Sequence, residues 1–298
     1  MSKYALISFL MIFSFSHLKA DDHFYMDMTQ LEDSLNFYLK KLRASASDGE
    51  KDYYNELLKS WVKKAAVRKE SFKYPFDSLK TMGTITSPDK AFRLFNWNIE
   101  NDDETFSYYC FIMKNPDSNN KYPYLELIDN SANMRSNPTD MTFDHRNWYG
   151  ALYYDIIPVI KGGKTIYTLL AWDGNNRKTT KKFIETMYFL GSKRVKFGYP
   201  IIKTPKGKMN RYFLEYSSDL FISLKNNSTK KEKLIIFDHL SPSAPQISGL
   251  PEFTGPDGSH DAFRFEDGYW VYVADIFAVN KDDKEDYHDP RNDEIPDR

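Results

Sequence analysis

Three short runs of this sequence carry side chains able to do chemistry. Asp238-His239 closes the apolar run Leu234–Phe237, Asp257-Gly258-Ser259-His260-Asp261 follows Pro256, and Trp172-Asp173-Gly174-Asn175-Asn176 ends a third strand-like stretch. A carboxylate beside an imidazole is what a general base requires, and a nearby hydroxyl offers the proton to be moved. Asp173, Asp238, His239, Asp257 and His260 are therefore the candidate catalytic residues. Converging in one cleft, they would describe a hydrolase of glycan or peptide that needs no metal. The same residue types also build turns, caps and satisfied strand ends. Asp238 and His239 are neighbours in a strand and point to opposite faces, so contact between those two side chains is not expected. The carboxylate and amides of the Asp173 run also suit a sugar or a cation.

The well-marked enzyme classes leave no trace. The chain has no H-E-x-x-H, no G-x-S-x-G, no glycine-rich phosphate loop, no C-x-x-C pair and no complete calcium loop. No cofactor and no structural metal are called for. Asp282, Asp283, Asp286, His288 and Asp289 would collect divalent cations only weakly, and a solvated acidic tail describes them better.

Charge is placed unevenly, although the whole chain sums to −1. Between Gly174 and Leu214 eleven bases stand against one acid, Glu185, while residues 98–144 and 252–298 are acidic. Lysines gathered on one face there would attract an anionic glycan or lipid headgroups, with aromatics beside them. Trp172, Lys181, Lys182, Arg194, Lys196 and Tyr199 are the candidate binding residues on that reading. Lysines spread over turns and strand edges, meeting the acidic flanks, are the other reading.

These residues need a scaffold, and the pattern supplies two kinds. Thr29-Gln30-Leu31-Glu32 has capping-box spacing, and Leu31, Leu35, Tyr38, Leu39 and Leu42 share a helical face, which predicts a helix over about 29–46. Ser47-Asp48-Gly49-Glu50 repeats the start signal before an apolar stripe from Tyr53 to Ala65, predicting a second helix to about Lys69. The two form a hairpin whose stripe is too wide to be buried between them, so it must dock on something. From residue 80 onward ten to twelve strands are expected, with Gly162-Gly163, Pro205-Lys206-Gly207, Asn226-Asn227-Ser228 and Asp267-Gly268 as turns. Pro158 marks an edge or bulge. Thr179–Phe189 reads as a short helix, with Phe183, Met187 and Leu190 on one face.

The first twenty residues are an address. Lys3, the apolar run Tyr4–Phe15 and Leu18-Lys19-Ala20 read as a signal peptide cut after Ala20. Twelve residues rise only about 18 Å as a helix, too little to span a membrane. A periplasmic or extracellular protein is therefore expected, and nucleic acid is an improbable partner there. The one cysteine, Cys110, excludes an internal disulfide; in the aromatic run Phe106–Met113 it should be a packed thiol.

Ser87–Trp97, Trp148–Asn176 (W-Y-G-A-L-Y-Y-D through L-L-A-W-D-G-N-N), Ile235–Leu240 (I-I-F-D-H-L) and Pro256–Asp275 together resemble a group of exported bacterial proteins with no known activity. The resemblance implies one folded unit over most of residues 80–280 and assigns no residue a role.

The sequence thus predicts an α+β, mainly β protein: signal peptide 1–20, helical hairpin 21–79, antiparallel β-meander 80–279 (barrel, sandwich or twisted sheet) and a disordered acidic tail 280–298. A non-catalytic exported binding protein is the expected function, with the hydrolase as the alternative.

Overall fold

The structure, a computed structural model, describes residues 27–118, 123–134 and 137–276. The expected leader and acidic tail lie outside them. Helix α1 (Met28–Ala44) begins slightly earlier than the Thr29 signal suggests. Asp27 caps it, accepting from the Gln30 N–H at 2.8 Å while Gln30 Oε1 accepts from the Asp27 N–H at 3.1 Å. After Ser47, which accepts from the Glu50 N–H, α2 (Asp48–Ala66) runs back along α1. Leu31, Leu35, Leu39 and Leu42 of α1 and Leu58, Val62, Ala65 and Ala66 of α2 are buried. Tyr53, at one margin of the expected stripe, remains exposed.

Among the described residues sixteen strands follow, in three sheets. The first sheet is a meander of β1 (Gly83–Thr86), β2 (Phe92–Glu100), β3 (Phe106–Lys114) and β4 (Tyr124–Ile128). Parity along β2 and β3 splits their side chains between two layers. Phe95, Trp97, Ile99, Phe111 and Met113 pack under the helical hairpin, whereas Phe92, Leu94, Tyr108, Cys110 and Ile112 pack on the second sheet. Asn55 of α2 accepts from the Trp97 indole N–H at 2.9 Å, which fixes where the hairpin sits. The thiol of Cys110 is buried, as expected.

The second sheet contains β5 (Phe143–Asp144), β6 (Leu152–Lys161), β7 (Lys164–Asp173), β8 (Thr179–Leu190) and β9 (Arg194–Phe197), in the order β5-β9-β8-β7-β6. β12 (Tyr212–Ser217) also pairs with β8, along Thr179–Ile184. Pro158 lies on the edge strand β6. Thr179–Phe189, expected to be helical, is instead the middle of this sheet. Its Phe183 and Met187 face the first sheet and its Ile184 faces the third. A strand buried on both sides loses the apolar–polar alternation that marks strands, and the spacing of Phe183, Met187 and Leu190 mimics a helix.

The third sheet has β10 (Ile202–Thr204), β11 (Gly207–Met209), β13 (Leu224–Asn226), β14 (Leu234–Pro242), β15 (Thr254–Glu266) and β16 (Tyr269–Val273), ordered β11-β10-β16-β15-β14-β13. Among the described residues the strands pair antiparallel except β10 with β16, and an isolated parallel bridge joins Asp129 to Trp148. Ile235, Phe237, Phe263 and Trp270 cover the far face of the second sheet. The result is four layers, one helical and three of sheet, and no sheet closes into a barrel. No described helix is long and apolar enough to cross a membrane.

One buried ion pair stitches the second sheet to its loops. Glu185 of β8 accepts from Arg211 Nε at 2.8 Å, and the Arg211 Nη1 donates to the carbonyls of Pro138 and Met141 at 2.6 and 2.8 Å. Burial raises the Glu185 carboxyl above the ordinary range, and the guanidinium opposes it only in part.

Candidate functional site

A cleft of about 610 Å³ opens between the first and second sheets. Its walls are the loop after β2 (Asn101, Asp103), β3 (Phe106–Tyr109), β4 with the turn after it (Glu126–Met134), and Asn175 beyond β7. Its floor is a line of hydrogen bonds among buried groups. The Tyr108 hydroxyl donates to Asp173 Oδ1 at 2.8 Å, and the Tyr149 hydroxyl donates to Oδ2 at 3.0 Å. The Asn175 N–H adds a donor to Oδ1 at 2.7 Å, and the Gly174 N–H donates to the Tyr108 hydroxyl at 2.8 Å. Lys181 Nζ donates to the Tyr149 hydroxyl at 3.2 Å.

Strand pairing places these charges. Asp173 lies directly across from Lys181, and Lys181 across from Glu215, so the three share one face of β7, β8 and β12. Burial, with the Asp173 charge adding to it, raises both phenols above the ordinary tyrosine range. They stay neutral donors. Asp129, at the end of β4, accepts from the N–H groups of Tyr108 (3.0 Å), Ser131 (2.9 Å) and Gly150 (3.2 Å), and burial still raises its carboxyl. Position 150 must be glycine, because a Cβ there would stand 2.5 Å from the Asp129 carboxyl. Carboxylates, amides, hydroxyls and aromatic edges around a fixed floor are the equipment of a site for a polar, uncharged ligand.

Of the five candidate catalytic residues, Asp173 alone lies here. The other four are on the third sheet, on β14 and β15, and form two pairs. His239 Nδ1 is 2.7 Å from Asp261 Oδ2, with the Tyr272 hydroxyl donating to the same oxygen at 2.6 Å, and His239 Nε2 is 4.0 Å from Asp257. Asp257 also accepts from the hydroxyls of Ser241 and Ser259. These donors, Ser259 first, push Asp257 down to about 2. His260 Nε2 is 3.3 Å from Asp238, whose other oxygen accepts from the Ser223 N–H at 2.8 Å. The loops around residues 173 and 239 therefore do not form one site. Among the described residues no three His, Cys, Asp or Glu side chains gather as a metal site.

The candidate binding residues separate likewise. Lys181 and Lys182 leave opposite faces of β8: the first reaches the cleft floor, and the second donates to the Ile222 carbonyl at 2.7 Å. Lys196 pairs with Asp144 at 3.3 Å, Trp172 packs edge-on against Phe106, and Tyr199 packs against Tyr188. Arg194 is exposed at the β8–β9 turn. No common basic face results.

Tyr108, Asp129 and Tyr149 did not stand out in the sequence, and Asp261 did so only as the end of the Asp257–Asp261 run, outside the five candidates. The available signal was parity: Tyr108 shares the inward face of β3 with Cys110, so its hydroxyl had to meet a partner inside. No model of a known protein family matches the chain, and no curated protein is similar enough to count as a relative.

Proposed function

We propose that this chain is an exported binding protein whose cleft between the first two sheets takes a neutral, polyhydroxylated ligand of the sugar class. The observation that carries the reading is the floor: Asp173 is held by two neutral buried phenols and backed by Lys181. Such a floor needs no reorganisation on binding, and half-buried Asp129 with the amide-rich rim of Asn101, Asn130, Asn133 and Asn175 supplies acceptors and donors for ligand hydroxyls. Asp103, Glu126, Asp129 and Asp173 outnumber Lys59 and Lys181 on the lining, which favours an uncharged ligand over an anionic one. Export rests on the leader.

Calorimetry of the folded chain against a panel of neutral and anionic oligosaccharides tests this. A neutral sugar should bind, and Asp129→Asn should weaken it about tenfold, the value of one charge-assisted hydrogen bond. Binding confined to anionic sugars, or none at all, removes the proposal.

The His239–Asp261 pair favours a second reading, a hydrolase. The carboxylate orients the imidazole while Nε2 faces outward beside Asp257, an arrangement suited to taking a proton from water. Turnover of a glycan or peptide that is lost in His239→Gln and kept in Asp129→Asn would select it.

A further inference from the structure

Tyr269 opens β16 at the corner where three hairpins meet: β6–β7, β10–β11 and β15–β16. Three ammonium groups converge on its ring. Lys161 Nζ lies 3.4 Å from the ring centroid, Lys203 Nζ 3.7 Å and Lys208 Nζ 5.0 Å. They arrive from different parts of the chain. Lys203 and Lys208 face each other directly across the β10–β11 ladder, a placement that like charges disfavour. Lys161 comes from the second sheet, its stem lying across Gly268, and its ammonium donates to the Asp267 carbonyl at 3.1 Å. Gly268 has φ +79°, and a Cβ there would stand 2.5 Å from Lys161 Cδ, so the turn is shaped to let this lysine through.

Among the described residues none of these three lysines forms an ion pair. Of the two acids at this turn, Glu266 is engaged by Arg264 at 3.8 Å, and Asp267 meets Lys161 through its backbone carbonyl. A ring face attracts each cation but cannot cancel their mutual repulsion. The same lysines act on the phenol: hydrogen bonds from Lys161 and then Lys208, and after them their charges, hold it below the ordinary tyrosine range.

We propose that Lys161, Lys203 and Lys208, with the Tyr269 hydroxyl, bind one tetrahedral oxyanion group, a phosphate or sulfate ester. All three nitrogens lie within 5.0 Å of the Tyr269 ring centroid, which gathers the positive charge around one side chain rather than along an extended surface. Each ammonium donates to an oxyanion oxygen as a point charge. Exposed Glu266 and Asp267 on the rim repel further negative charge and so select a terminal group. None of these residues lines the sugar cleft, and the site stands or falls independently of it.

The test is titration of the full chain with inorganic phosphate at constant ionic strength, following the Tyr269 ring by NMR. A saturable shift is expected, together with a rise of the Tyr269 phenol pKa toward its ordinary value once phosphate is bound. Lys161→Gln and Lys203→Gln should each weaken half-saturation threefold or more. Lys164→Gln, an exposed lysine of the β6–β7 turn outside the cluster, should leave it unchanged. A linear response, one matched by chloride, or lysine variants that titrate like the parent would overturn the site.

The source of the group is read from two further arms. Displacement of phosphate by a sugar phosphate, with no sedimentation on phosphatidylglycerol vesicles, assigns a soluble ester. Sedimentation on those vesicles that phosphate reverses assigns a lipid headgroup, whereas sedimentation that phosphate leaves intact counts against the site.

Discussion

Asp173 and Asp261 are both buried carboxylates that accept a tyrosine hydroxyl, yet they sit in opposite circumstances. Asp173 has phenols on both oxygens and lies between two sheets, so every neighbour is fixed by packing. Asp261 holds one phenol and one imidazole, and that imidazole is 41% exposed along its side chain. The contrast separates two uses of one chemistry. A carboxylate closed in by neutral donors is a rigid anchor that fixes the floor of the cleft. A carboxylate sharing its oxygen with a half-exposed histidine is coupled to solvent protons.

The contrast is broken most severely by removing Asp173. Asp173→Ala leaves the Tyr108 and Tyr149 hydroxyls without their acceptor inside the molecule and should cost about 3 kcal/mol in urea unfolding. Asp257→Ala, at the exposed end of the histidine cluster, should stay within about 1 kcal/mol. Equal losses at the two positions would mean that the floor of the cleft is not closed to water. Tyr149→Phe is a milder cut, removing the hydroxyl that links Lys181 to Asp173. It should cost about 1–2 kcal/mol, and an unchanged urea midpoint would show the link to be idle.

The histidine side is sharpened by pH. Asp261, first through its hydrogen bond and then through its charge, raises His239 above the ordinary value of 6.5. A group whose native pKa exceeds its unfolded one adds stability that is complete below the unfolded value and fades as pH rises through the native one. Stability should therefore fall by a small amount as pH climbs from about 6.5 through the native His239 value, and His239→Gln should remove that slope. NMR should find the His239 midpoint lower in Asp261→Asn; a midpoint that does not move would show that Asp261 is not what holds the proton. The smallest effect belongs to Arg194→Gln, exposed at a turn, which should change stability by less than about 0.5 kcal/mol.

Local signals survived best in the sequence. Gly162-Gly163 and Asp267-Gly268 are turns because those positions take positive φ, and both hairpins form around them. The helical hairpin was readable from its leucine spacing and its docking from the excess apolar stripe. β8 was not, because burial on both faces erased its period. The cleft was half visible: Asp173 stood out as a polar group after a strand, but its acceptor oxygens are filled by tyrosines from β3 and from the segment before β6, which no local spacing relates to it. The histidine cluster shows the reverse. Its residues are near one another in sequence, yet what sets His239 is Asp261, reached only across the β14–β15 ladder after the bulge between Asp238 and Leu240.

The lone thiol gives the molecule a built-in clock. Cys110 lies wholly inside the contact between the first and second sheets, one turn of the pleat from Tyr108, and burial pushes its pKa far above the ordinary thiol range. An alkylating reagent can mark it only while those sheets part, so the labelling rate counts openings of the contact that carries the cleft. Any ligand that the closed cleft alone can hold would slow that count by the factor set by its concentration over its dissociation constant.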